Sequence, residues 1–425
     1  MTIALFIILF ILFLFIWLFF DYHFGRKKHL MFAKKMESPI LVGSFDIFAH
    51  GKELFTDYFH SLEQAKKNID IVFYIVRNDA FSQEFLSLLK TKANEGVQVR
   101  LLLDQFGSLK FSKKLAADLK NAGVVFQYSS RLKFPFLFYS SQVRNHRKIT
   151  VIDGKIGYLG GFNIGKEYLG FDPKLSPWRD YHLKITGESV HFLQQVFLHD
   201  WQVEAPKKFL NETGVMPPQE DSYAVEAASE SAIQPEVKVR FSGDRHHLVA
   251  HRMLATEANL LETTYIEQIH SATKSIMIGT PYFIPSKNVF SSLLQALRRG
   301  VKLTVIVPAT ADHILVQEAS YRYFRKLLRE GAAVYQFKNG FYHAKTIIID
   351  DAVYAIGTAN FDKRSFFLNK EINCYIYDPT FQKRVMAIIQ QDIRDSQRLS
   401  LEELNKPNLL RTIKEGVAGA ISFFL

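Results

Sequence analysis

Residues 145–163 read NHRKITVIDGKIGYLGGFN, and residues 342–360 read YHAKTIIIDDAVYAIGTAN. His146, Lys148, Asp153, Gly160 and Asn163 recur as His343, Lys345, Asp350, Gly357 and Asn360, every pair offset by 197 positions. Average residue usage would give one such His its Lys and Asp by chance roughly once in a few hundred cases. Two copies in register therefore mark an internal repeat. ITVI and TIII are β-branched runs that predict strands. Residues i and i+2 of a strand leave the same face, so His146 should point with Lys148 and His343 with Lys345. Two cationic neighbours repel each other unless an anion lies between them. A phosphate is such an anion: the ammonium neutralises its non-bridging oxygens while the imidazole addresses phosphorus. Asn163 and Asn360 follow a second short strand in each copy and are candidate phosphate donors. Asp153 and Asp350 stand at strand ends before turns, where an acid either takes part in the catalytic motif or caps the turn.

The repeat extends outward from the motif. A helix near Leu54–Lys67, strand Ile69–Val76, helix Phe81–Glu95, strand Val97–Leu103, helix Ser112–Asn121 and strand Val124–Tyr128 precede the first copy. Helix Glu257–Ala272, strand Ser275–Gly279, helix Lys287–Arg299, strand Val301–Val307, helix His313–Arg329 and strand Ala333–Phe337 precede the second. Alternating strands and helices predict an α/β layer in each half, with Gly123, Gly300 and Gly331 where helices should stop. Residues 205–235 are polar, carry Pro206, Pro217 and Pro218 and end on Pro235, which suits a connection between domains. The expected plan is an anchor and basic flank at 1–35, domains at 36–204 and 236–400, and a tail at 401–425.

At 425 residues and 48% hydrophobic, the chain can bury a core in each half. Aromatic residues make up 14%, chiefly 38 phenylalanines, which suits buried cores and also contact with lipid. A formal charge of +11 favours anionic partners without choosing between nucleic acid and membrane. The single cysteine, Cys374, excludes an intramolecular disulfide framework and a multi-cysteine metal site. Ile3–Phe20 is an unbroken run of 18 apolar residues, enough to span a bilayer. It lacks the basic leader and small-residue cleavage site of a signal peptide, so an uncleaved single-pass anchor is expected. Arg26, Lys27, Lys28, Lys34 and Lys35 follow it, which places the remainder on the cytoplasmic side of the cell membrane. LKFPFLFY at 132–139 either dips into the membrane interface or forms a buried strand. The end of the chain, 409–425, fits a helix lying on a membrane surface or ordinary docking onto the body.

The tandem HxKxxxxD signature resembles the phospholipase D superfamily, and within it the bacterial cardiolipin synthases of that type. NHRKITVIDGKIGYLGGFNIGKEYLG, PWRDYHLKITGESV, TPYFIP, ASYRYF and FYHAKTIIIDDAVYAIGTANFDKRSFFLNKEIN carry the resemblance, which covers nearly everything after residue 40. One departure is Gly357-Thr358, where Gly-Ser is common in the family. The resemblance implies two mixed-sheet repeats about a pseudo-twofold axis, with His146 and His343 on opposite sides of one phosphorus. It implies catalytic roles for His146, Lys148, Asp153, His343, Lys345 and Asp350. One imidazole forms a phosphohistidine and the other protonates the leaving group, with His146 the expected nucleophile. Asp180 and Glu371, heading apolar strands, are the expected orienting carboxylates. His246, His247, His251 and His313 sit in polar or helical surroundings that suit surface or structural roles, and His199-Asp200 resembles a helix end packing on the core. The two lysines and two asparagines supply the neutralisation a metal would give, so no metal or cofactor is expected. The expected reaction joins two phosphatidylglycerols into cardiolipin and glycerol, on a membrane of anionic phospholipids and without nucleic acid. A phospholipase D, a nuclease and an inactive membrane scaffold are the rivals.

Overall fold

The computed structural model describes residues 2–204, 248–313 and 315–422. The proposed connection at 205–235, with His246 and His247, lies outside the described residues.

Local chemistry sets the elements in both halves. Side chains of Asp79, Ser112 and Ser286 accept the backbone N–H three residues on, opening helices Ala80–Asn94, Lys113–Asn121 and Lys287–Arg298. Gly123, Gly300 and Gly331 follow helix ends with φ of 87°, 89° and 89°, a conformation a side chain resists. β-Branched runs between them form parallel strands with both faces buried.

In the first repeat the strands lie in the order Val125–Ser129, Gln98–Asp104, Asn68–Phe73, Ile149–Ile152, Ile156–Gly160, Trp178–Gly187, Leu41–His50. The second follows the same plan: Ala333–Phe337, Lys302–Pro308, Ser275–Gly279, Thr346–Ile349, Val353–Gly357, Glu371–Ile376, Val249–Thr256. Three parallel strands lead four antiparallel ones in each, so the fold is α/β with two mixed-sheet repeats. The repeats join where Leu41, Val42 and Gly43 pair antiparallel with His251, Ala250 and Val249. An antiparallel pair has local twofold symmetry, so this seam lies where a pseudo-twofold axis would pass.

Helix Thr2–Phe32 precedes the repeats and is long and apolar enough to cross a membrane, with a mean hydropathy of 3.3 over its most apolar stretch and none of that stretch buried. The basic residues Arg26, Lys27 and Lys28 continue the same helix. Its last turns dock on the body. Asp21 is buried and accepts from the backbone of Phe138 (3.2 Å) and Tyr139 (2.7 Å), at the start of helix Leu137–Gln142. Gly25 lies against the Tyr139 ring, and His29 Nδ1 is 2.9 Å from the Tyr139 hydroxyl. The LKFPFLFY segment is therefore not a strand: its first half is irregular and its end is helical. Phe134 is 87% exposed, and Leu132 and Leu137 are also exposed.

Candidate active site

Each histidine is placed by a short parallel pairing with the other repeat. Asn145 bridges Lys370, and His146 N donates to Lys370 O at 3.0 Å. Phe341 and Tyr342 pair with Trp178 and Arg179, and His343 N donates to Arg179 O at 2.7 Å. The carboxylates are thereby crossed between repeats. His146 Nδ1 lies 3.0 Å from both Glu371 oxygens, and His343 Nδ1 lies 2.6 Å from Asp180 Oδ2. Each carboxylate fixes the far nitrogen, leaving Nε2 with a lone pair for a ligand. The motif lysines stand just ahead of the strands that begin at Ile149 and Thr346, so strand alternation is not what groups them with the histidines. Lys148 Nζ folds back onto His146 O at 2.8 Å. Lys345 Nζ reaches His343 Nδ1 at 2.5 Å and Asp180 Oδ2 at 3.2 Å.

Burial dominates the electrostatics. It pulls both imidazoles down to about 4, against the opposing pull of Glu371 on His146 and of Asp180 on His343. Both rings are therefore neutral at neutral pH. Burial also lowers the ammonium of Lys148 strongly and that of Lys345 less so. Burial alone would raise Glu371 and Asp180. Attraction and hydrogen bonding from His146, with Lys148, outweigh it at Glu371, and Lys345 with the His343 hydrogen bond outweighs it at Asp180, so both acids stay below the usual carboxylate range. Lys345 depresses His146, and Lys148 responds to Asp180 as well as Glu371, so the two half-motifs form one electrostatic cluster. Two neutral imidazoles and two lysines whose charged forms burial disfavours make a pocket that gains from receiving an anion.

Asp153 and Asp350 do not belong to this cluster. Both lie at the far ends of their strands with φ of 53° and 54°. Asp153 accepts from the backbone of Lys66 (2.8 Å), Lys67 (2.7 Å) and Asn68 (3.0 Å). Asp350 accepts from Thr273 N (2.8 Å), Lys274 N (2.7 Å) and Ser275 N (2.8 Å). The catalytic expectation for these acids gives way to the capping one: each fastens a loop to a strand end. Asn163 is half committed, since Oδ1 accepts from Ile75 N and Nδ2 donates to Tyr168 Oη, both at 3.1 Å. One amide hydrogen of Asn163 remains for a ligand. Asn360 Oδ1 is buried without a partner among the described residues. His251 is structural, held by Ser189 Oγ at 2.5 Å and Val249 O at 2.8 Å, and His313 is exposed.

Several supporting residues escaped sequence reasoning. Tyr74 packs its ring 5.0 Å from that of His146, and Trp178 lies 4.7 Å from His343. Thr358 Oγ1 (2.6 Å), Ser365 Oγ (2.8 Å) and Asn369 Nδ2 (3.2 Å) all donate to Glu371. Asp200, buried near the end of helix Ser189–Glu204, is also a hub, accepting from Asn145 Nδ2 (2.9 Å), Arg147 (2.7 Å) and Lys370 (3.0 Å). It thus braces the residues flanking both His146 and Glu371. Its spacing of four from Val196 and its adjacency to Trp201, on the buried face of helix Ser189–Glu204, were the available signal. His199, Asp200 and Glu257 converge closely enough to ligate a metal, but Arg147 and Lys370 already answer the charge of the two acids.

Comparison with known proteins gives the same picture. The family model described as cardiolipin synthase, PLD-like domain, matches residues 58–201 and 265–393. The chain is 38% identical to the minor cardiolipin synthase ClsB of Bacillus subtilis, over 95% of each protein. It is 35% identical to the major cardiolipin synthase ClsA of the same organism, over 89% of this chain and 75% of that one. Among solved structures, phosphatidylserine synthase of Haemophilus influenzae superposes with a TM-score of 0.66 at 16% identity, covering 91% of this chain and 97% of that one. At that identity the likeness speaks for the fold alone.

Proposed function

The chain belongs to the phospholipase D-like cardiolipin synthase family of phosphatidyltransferases, and from that premise we propose that it converts two phosphatidylglycerols to cardiolipin and glycerol through a phosphohistidine. The observation that carries this reading is the pair of buried imidazoles, each held by a carboxylate of the opposite repeat. His146 Nε2 attacks phosphorus, and the bond from phosphorus to the headgroup glycerol breaks. His343 gives that alkoxide its proton. The terminal hydroxyl of a second phosphatidylglycerol then surrenders its proton to His343 and attacks the phosphohistidine, returning His146 unchanged. Atoms balance without ATP or redox chemistry. His146 is favoured as nucleophile because Glu371 is held by three side-chain donors and engages His146 with both oxygens, whereas Asp180 is shared with Lys345.

Binding the phosphodiester supplies the negative charge that the buried lysines lack. The phosphodiester's charge favours the ammonium forms of Lys148 and Lys345, which neutralise its oxygens, and His343 takes up the proton it later donates. Asn163 and Asn360 add hydrogen bonds to the same oxygens.

The domain reading stands as a plan: anchor at 1–35, repeats at 36–204 and 236–400, connection between them, tail at 401–425. The helix from Thr2 tethers the site beside its substrates, raising their effective concentration, and its basic end favours the cytoplasmic face. Mass spectrometry of lipids after incubating purified protein with phosphatidylglycerol vesicles tests the reaction. Cardiolipin and glycerol in equal amounts are expected; phosphatidate in place of cardiolipin would make water the acceptor and the protein a hydrolase.

A further inference from the structure

Helix Leu409–Ile421 is docked inside out. Its inward side carries Arg411, Glu415 and Ala418, with Ser422 just beyond its end. Glu415 receives both guanidinium nitrogens of Arg325 at 2.6 and 2.8 Å, and Ser422 Oγ accepts from Lys363 Nζ at 2.9 Å. At 100° per residue, the opposite side carries Leu409, Leu410, Ile413, Val417 and Ile421. These five aliphatic side chains are between 41 and 78% exposed. A helix packed on a protein in water turns its apolar stripe inward; this one turns it away.

The location of this helix identifies what covers that stripe. Lys363, which grips Ser422, adjoins Arg364, which donates to Gln142 O at 3.0 Å. Gln142 ends the short helix whose other end is capped by Asp21 of the apolar N-terminal helix. A chain of direct contacts therefore joins the end of the C-terminal helix to the exit point of the proposed anchor. It passes through residues that closely follow Asn360 of the second motif. Lys363 and Arg322 both bond Ser422 at the end of the helix, and Lys414, next to Ile413, reaches Glu318.

We propose that the outward face of Leu409–Ile421 is a second membrane contact, seated among the headgroups and upper acyl chains of the anionic leaflet from which the N-terminal helix emerges. With exposed Leu132, Phe134 and Leu137 on the other side, it holds the catalytic body down at two points, one on each repeat. The inference rests on reading Thr2–Phe32 as an anchor.

Cys374 is the sole cysteine and is buried, so a nitroxide on an introduced cysteine reports one position. Full-length Ile413→Cys and Val417→Cys proteins are labelled and reconstituted in vesicles containing phosphatidylglycerol. Phe10→Cys serves as the anchor control, and Lys302→Cys, at the opposite end of a parallel strand, as the water control. Labels at 413 and 417 are expected to be at least about fivefold less accessible to a water-soluble nickel chelate than the label at 302, and more accessible to oxygen. Equal chelate accessibility at 413, 417 and 302, with the Phe10 label in lipid, would overturn this inference and leave the anchor standing. A Phe10 label exposed to the chelate would overturn the anchor reading and this inference with it. Dipolar broadening between labels on two molecules would assign the stripe to a second copy of the chain and overturn the lipid reading. An Ile413→Asp, Val417→Asp double variant is expected to lose about tenfold in activity on vesicles and little on detergent-dispersed lipid. Equal losses in both would count against a seat in the leaflet.

Discussion

Around Asp180 the first repeat gives up a side chain that the second repeat keeps around Glu371. A Cβ at Gly161 would stand 2.0 Å from Asp180 Oδ1, whereas its counterpart Thr358 donates a hydroxyl to Glu371 at 2.6 Å. Aspartate is one methylene shorter, so its carboxylate sits over the backbone of residue 161 and only glycine fits. Glutamate lifts its carboxylate clear, and the space is filled by a hydroxyl that fixes it. Both lysines bond the carbonyl of their own histidine, but Lys345 also leans on Asp180. One ancestral-looking plan thus carries two solutions for holding a carboxylate, one by backbone proximity and a shared ammonium, the other by dedicated side-chain donors.

The largest test of that asymmetry is chemical. His146→Ala and His343→Ala are each expected to lower turnover by about 10³-fold or more. With a donor whose leaving group needs no proton, His343→Ala should still form and accumulate the covalent phosphoenzyme, and His146→Ala should not. The reverse pattern would exchange the two roles. Next, Gly161→Thr should lower kcat by about 10²-fold by displacing Asp180, and Thr358→Gly by about tenfold; equal losses would erase the distinction between the two supports.

A subtler comparison uses Thr358 alone. Thr358→Ser keeps the hydroxyl and should stay within about twofold of wild type, while Thr358→Val should lose about tenfold. Removing that donor raises Glu371, so protonation of Glu371 begins at a higher pH. The acid limb of kcat/KM in Thr358→Val should therefore shift upward relative to Thr358→Ser, and coincident limbs would deny the contact its role. The smallest effects belong to Asp153→Asn and Asp350→Asn. Each should cost about 1 kcal/mol of stability in a denaturant titration while leaving kcat of the folded enzyme intact. Backbone N–H groups outweigh burial at both acids and hold them below the usual carboxylate range. A depressed folded value stabilises fully above the ordinary range and is lost as pH falls through it, so the gap between wild type and each variant should close on acidification. A kcat loss in one variant and not the other would reopen its catalytic candidacy.

Much of the α/β plan was legible because its signals are local. Ser275–Gly279 and Ala333–Phe337 form strands at the boundaries read from the sequence, and the helix stops sit at Gly123, Gly300 and Gly331. The candidate site was legible through the repeat, which identified His146, Lys148, His343 and Lys345 as a group. What stayed hidden depends on contacts between repeats. Nothing near Asp180 or Glu371 announces that each serves the other repeat's histidine, since that follows from the pairing of residue 145 with 370 and 342 with 179. Strands Leu41–His50 and Val249–Thr256, which form the seam, passed unnoticed. Of the two readings of LKFPFLFY only the strand falls, because the Asp21 cap and the Tyr139 contacts with the N-terminal helix make its end helical.

The exchange of carboxylates across the seam also bears on how such a molecule can be taken apart. A fragment holding one complete motif would still lack the acid that sets its imidazole's tautomer. Cleavage in the connection should therefore leave two inert pieces whose activity returns on reassociation, at a rate that depends on concentration. Each substitution at residue 180 or 371 is, in effect, an edit to the neighbouring repeat's histidine.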